Sequence, residues 1–183
     1  MTKNIGKQLS PESRHEAGHA VAALVHGFDV FGIDLIPQEV PGTGGLIGKA
    51  GTEMGLPSHK VIAGKGEEDV LPVLVVLYAG FFAELVVNPK AILEEGFDQS
   101  DGDRALEYAK YSLLAPPKMR DGKLVSSIDI DRLKSLINAA KERAEMLVKK
   151  HSDAIDELAS LLDAHGSLRA AEIHACVGSF FAS

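Results

Sequence analysis

Residues 10–27 read SPESRHEAGHAVAALVHG. Ser10 followed by Pro11 is a helix start: a serine side chain can take up an orphan backbone N–H, and proline at the first helical position has no N–H to leave unsatisfied. The pattern predicts a helix running on through His26, and Gly27 suits the left-handed turn that ends helices. Within it His15 and His19 stand four residues apart, one turn along the same face, so both imidazoles can reach one ion. Zinc accepts such a pair with a third protein ligand and leaves a fourth position for water. Glu16 points about 100° further round, where its carboxylate can take a proton from water attacking a carbonyl. Two solvated histidines on a surface helix would give the same spacing. Against that, H-E-x-x-H arises in roughly 2% of shuffled chains of this composition, and here it runs directly into the apolar stretch AVAALV.

The surrounding chain predicts mainly helices. Residues 30–36 (VFGIDLI) are partly alternating and β-branched, a strand closed by Pro37. Residues 42–55 hold six glycines, a flexible loop with a second strand at residues 45–50. Residues 70–87 (VLPVLVVLYAGFFAELVV) form an apolar helix at the lower edge of a bilayer span. Pro72, Gly80 and the carboxylate of Glu84 lie inside it, and a buried core helix accounts for the pattern at lower cost, so no membrane span is expected. Residues 88–103 are expected as a connecting loop, and residues 104–114 as a helix ending at the Pro116-Pro117 break. Ile130, Leu133, Leu136, Ile137, Ala140, Ala144 and Leu147 predict an amphipathic helix of about five turns. Ile155, Leu158, Ala159 and Leu162 mark a second helix, and a short third begins near Leu168. The expected fold is mainly α, with a tail at residues 1–9 and a single domain over residues 10–183. A small β-hairpin or sheet should follow the metal-binding helix.

Composition narrows the function. Hydrophobic residues are 45% and charged residues 25% of 183, the profile of a globular protein. The net charge of −7 comes without any basic block, so no nucleic-acid partner is expected. Cys176 is the single cysteine, which suits a reducing compartment, and residues 1–16 carry no apolar secretory stretch; a cytoplasmic location is expected.

The residues alone leave the third metal ligand open. His26 lies seven residues past His19, roughly 10 Å along the axis. Val25 stands where a metzincin would place its third histidine. Two carboxylates remain: Glu84, costly to bury in an apolar helix unless paired or bound, and Asp101 in DQSDGD. Asp98, Asp101 and Asp103 are spaced somewhat like a calcium loop, yet glycine is missing at its sixth position and Ala109 replaces the closing glutamate. Residues 42–50 miss the phosphate-loop pattern at Thr43 and Ala50.

HEAGHA, residues 15–20, resembles the zinc-protease domain of the FtsH family, ATP-dependent membrane proteases of bacteria and organelles. IDLIP before the glycine-rich turn looks like the strand after that family's metal helix. YAGFFAEL is similar to its G-G-R-x-A-E-E helix at Gly80, Ala83 and Glu84. SDGDRALEYAK is similar to its S-N-D-L-x-x-A-T-x-x-A-R segment, and residues 128–162 resemble its C-terminal helical pair. The likeness spans roughly residues 10–175. It implies an FtsH-like metallopeptidase helical domain binding one zinc per chain through His15, His19 and Asp101. It further implies Glu16 as general base and Glu84 as a helper that orients a zinc-ligating histidine. Phe81, Leu85 and Ser100 depart from the family's Arg, second Glu and Asn.

The implied activity is hydrolysis of peptide bonds in polypeptide substrates. The family's ATPase and membrane segments precede its protease, whereas fourteen residues precede His15 here. Unfolded or flexible chains are therefore the expected substrates, unless a separate AAA+ ATPase feeds the site. A homo-oligomer is a further implication, because the family assembles as hexamers. The alternative expectation is an inactive metal-binding module that partners a separate ATPase or membrane protease.

Overall fold

The computed structural model describes residues 9–35, 38–39, 46–47, 50–91, 100–114, 118–120, 123–125 and 127–181. The first helix, α1 (Pro11–Val25), begins where expected: the Ser10 hydroxyl accepts the Ser13 N–H at 3.1 Å. It closes one residue early, with His26 as its cap and Gly27 at φ +76°. Of the expected N-terminal tail, residues 1–8 lie outside the described residues, and Leu9 packs against the core.

Strand β1 (Val30–Asp34) is shorter than expected; Ile36 and Pro37 lie outside the described residues. Of the strand expected at residues 45–50, Leu46–Ile47 is strand β3, which pairs with β2 (Gln38–Glu39) and not with β1, whereas Ala50 lies outside any strand and residues 45, 48 and 49 lie outside the described residues. The partner of β1 is β4 (Gly51–Met54), antiparallel, inside the stretch expected as loop. A third strand, β7 (Ser167–Arg169), lies along the other side of β1, giving the order β4-β1-β7. The helix expected from Leu168 therefore starts only at Ala170. Gly166, at φ +74°, ends the preceding helix in a left-handed turn and swings residues 167–169 onto β1.

After a short turn of helix, α2 (His59–Ile62), comes α3 (Glu67–Val87). Nearly every residue from Val70 to Gly80 is buried. By length and composition α3 could cross a membrane; in this fold it is the central core helix, packed against α1 and against the two long helices that follow it in the chain. Helix α4 spans Asp101–Leu113, three residues longer at its start than the expected helix from Arg104. The Ser100 hydroxyl caps it by accepting the Asp103 N–H at 3.2 Å. Acidic side chains in a first turn favour a helix start, which is why DGD joins the helix and not the loop. A hairpin of β5 (Lys118–Arg120) and β6 (Lys123–Val125) follows.

The last third is helical as expected. In α5 (Ile130–Lys150), Leu133, Leu136, Ala140, Ala144 and Leu147 are buried, while Ile130 stays exposed. Helix α6 (Ser152–His165) buries Ile155, Leu158, Ala159 and Leu162. It leads through β7 into α7 (Ala170–Val177) and a 3₁₀ turn at Gly178–Phe180. The described residues are thus mainly helical, with one three-stranded antiparallel sheet and two short two-stranded pairs.

The contact of α1 with α3 positions everything that follows. Gly18 faces Ala79 and Ala83, and a methyl group there would come within 2.6 Å of the Ala83 side chain and 2.8 Å of the Ala79 carbonyl. The two backbones approach as closely as they do because Gly18 has no side chain.

Candidate metal centre

His19 is 3% exposed, in the seam between α1 and α3. Its Nδ1 lies 2.8 Å from the Val76 carbonyl oxygen, an acceptor only, so Nδ1 carries the proton. Nε2 is then left with a bare lone pair. Gly80 makes room for the ring, since a methyl group there would overlap it.

His15 follows the same logic one turn earlier. Its Nδ1 lies 3.0 Å from Glu84 Oε2, and the other Glu84 oxygen accepts from the Asn88 amide at 3.0 Å. An ionised carboxylate offers only acceptors, which fixes the His15 proton on Nδ1 and frees Nε2.

Both free nitrogens converge on Asp101, carried to them by the first turn of α4. Asp101 Oδ2 is 3.2 Å from His15 Nε2 and 3.0 Å from His19 Nε2, and the two nitrogens are 3.0 Å apart. Three lone-pair atoms in mutual contact repel unless a cation sits among them. Four-coordinate zinc, with bonds of 2.0–2.2 Å, holds its ligand atoms about 3.3 Å apart, close to this triangle. The donor set of two imidazoles and a carboxylate therefore fits zinc in both chemistry and size.

Without an ion, protons take up the strain. Burial lowers the His19 pKa, but the Asp101 carboxylate beside it, with Glu16 nearby, outweighs burial and pushes it up to about 9. Burial also raises Asp101, yet the two imidazoles hold it well below the usual carboxylate range.

Glu16 stands beside this cluster without belonging to it. It is buried, and its Oε2 accepts the Thr52 hydroxyl at 2.7 Å. Glu16 and His19 open onto a cleft of about 960 Å³, walled by Thr52 and Met54 of β4 on one side and by Asp101 and Leu106 of α4 on the other. Among the described residues β4 is an outer strand of its sheet, with one backbone edge unpaired.

All five residues singled out by sequence thus meet in one place: His15, Glu16, His19, Glu84 and Asp101. His26 does not join them, since it caps the far end of α1. Asp98 lies outside the described residues, and Asp103 N-terminally supports α4. Four contributors were not foreseen. Thr52 lay in an expected loop, and Asn88, the Val76 carbonyl and Arg14 carry no sequence signal. No protein-family model matches the chain, and no curated protein matches it significantly.

Proposed function

We propose that the chain is a zinc-dependent metallopeptidase of the H-E-x-x-H type, with an FtsH-like peptidase architecture, that hydrolyses peptide bonds in unfolded or flexible polypeptides. The observation that carries this reading is the meeting of the His15 and His19 Nε2 atoms with Asp101 Oδ2, beside a separate buried carboxylate, on the wall of an open cleft. When bound by His15, His19 and Asp101, zinc would lower the pKa of a water to about 7 and polarise a substrate carbonyl.

The remaining steps belong to the protein. Glu16 takes the proton from water as its oxygen bonds to the carbonyl carbon, and passes it to the amide nitrogen as the C–N bond breaks. Thr52 holds the Glu16 carboxylate in place for both transfers. An extended peptide can pair its backbone with the open edge of β4 and so lie along the cleft beside Glu16. A folded protein has no free backbone to offer, which favours unfolded substrates and makes a separate AAA+ ATPase the natural feeding partner.

Elemental analysis and hydrolysis of fluorescently labelled casein test this together. We expect one zinc per chain, slow casein cleavage by the parent, and none by Glu16→Gln, which should keep its zinc. A parent without zinc after equilibration at neutral pH would overturn the reading, as would a Glu16→Gln variant as fast as the parent. Zinc without turnover on any unfolded chain would reduce it to the metal-binding module.

A further inference from the structure

Arg14, the residue before the first histidine, is 2% exposed. A buried guanidinium is costly unless its donors are satisfied, and burial lowers its pKa here. Its Nε donates to the Ala83 carbonyl at 2.8 Å, its Nη2 to the Ser152 hydroxyl at 3.0 Å, and its Nη1 pairs with Asp156. One side chain therefore joins three helices: α1, which bears the histidines; α3, which bears Glu84; and α6.

The register of these contacts is informative. Arg14 reaches residue 83 and His15 reaches residue 84, two adjacent rungs of 2.8 and 3.0 Å between α1 and α3. Buried and held at three points, the planar guanidinium limits how far α1 can rotate or shift against α3. That rotation decides whether His15 Nδ1 meets Glu84 and whether both Nε2 atoms meet Asp101. On α6, two turns beyond Asp156, Asp163 accepts the Ser10 N–H at 3.1 Å, the Ser10 hydroxyl at 2.8 Å and the Ser13 hydroxyl. Ser10, Ser13 and Arg14 thus tie the first turn of α1 to two carboxylates on a single face of α6. By helical geometry that gripped face lies roughly opposite the one carrying the histidines.

We propose that Arg14 is a positioning residue for the metal centre: anchored to α6 by Asp156 and Ser152, it sets the α1–α3 register that aims His15 and His19. This rests on the zinc reading above but assigns a role that the ligands alone do not. It makes α6, which supplies no ligand, part of the apparatus that sets metal affinity.

The test is zinc affinity of the full chain, by competition with a chromophoric chelator, at a temperature where circular dichroism shows each variant folded. Arg14→Met should bind zinc about 10–100-fold more weakly than the parent, the usual cost of losing an outer-shell partner. Arg14→Lys keeps a charge for Asp156 but cannot serve all three acceptors, so it should fall between. Asp156→Asn should weaken binding in the same direction. Ile173→Ala, a core truncation on α7, serves as control: it should lower the melting temperature and leave zinc affinity unchanged. In the metal-free protein, ring ¹⁵N shifts should show His15 protonated at Nδ1 in the parent and as mixed tautomers in Arg14→Met.

Parent-like zinc affinity in Arg14→Met or Arg14→Lys would overturn the proposal. So would an affinity loss in Ile173→Ala matching its loss of stability, which would reduce Arg14 to a structural role. Should Arg14→Met fail to fold, Arg14→Lys and Asp156→Asn carry the comparison. A parent that binds no zinc defeats the metallopeptidase reading instead, and the His15 tautomer then decides the positioning role by itself.

Discussion

Glu84 meets His15 at Nδ1, 3.0 Å away, while Asp101 meets the same ring at Nε2, 3.2 Å away. One carboxylate stands behind the imidazole and the other in front, so removing them should have different consequences. Asp101→Ala should drop zinc from one per chain to near none, because only two donors remain. Glu84→Gln should retain zinc at saturation with affinity about 10–100-fold lower, since the ring loses a charged partner but keeps its lone pair in place. Equal losses in the two variants, measured by elemental analysis after dialysis, would contradict this division.

Gly80 should be intolerant of even a methyl group. Its missing side chain is the space in which the His19 ring lies, and His19 is pinned from behind by the Val76 carbonyl at 2.8 Å. Gly80→Ala should therefore displace the imidazole, abolish zinc binding and cost about 1–3 kcal/mol of stability as overpacking. Zinc titration alongside thermal melting checks both halves.

Thr52 should matter to turnover and not to metal. Replacing it by valine removes the 2.7 Å hydrogen bond to Glu16 while keeping the shape. A hydrogen bond to a charged group contributes about 1.5 kcal/mol, so casein hydrolysis should fall about tenfold at unchanged zinc content. Full activity in Thr52→Val would mean that Glu16 is held by something else.

The metal-free protein should respond to pH in the direction opposite to zinc binding. With its native pKa raised from 6.5 to about 9, His19 stabilises the fold fully below pH 6.5 and loses that contribution as pH rises through 9. Asp101, depressed in the folded state, contributes above its unfolded value of 3.8 and loses its effect only in strong acid. The melting temperature of chelator-treated protein should thus decline between pH 6.5 and 9. Zinc affinity should climb over the same interval, because the ion must displace the His19 proton. A melting temperature that is flat across this range would exclude the His19–Asp101 interaction as drawn.

Much of this was legible in the chain, for reasons that differ by element. Helix α1 carries its own boundaries in Ser10-Pro11 and Gly27, and α5 and α6 carry apolar stripes that need no distant partner to be read. The strands β4 and β7 are short, and what makes them strands is β1, about twenty residues from one and 135 residues from the other. Hydrogen-bond pairing over such distances leaves no local pattern. Asp-Gly at positions 121–122 is a sequence signal for a hairpin that could have pointed to the β5–β6 pair. At the site, His15, Glu16 and His19 follow from spacing on one helix. The choice between Asp101 and Glu84 needed the approach of α3 and α4, and Thr52 needed the placement of β4.

Strand β7 has a consequence for how the protein is made. It leaves the ribosome about 135 residues after β1, yet it covers the side of β1 away from β4. Until residues 167–169 emerge, β1 exposes an unpaired backbone edge, the kind of surface through which chains aggregate. Truncation or nonsense mutation shortly before Gly166 should therefore yield insoluble protein, even though His15, His19 and Asp101 would already have been synthesised.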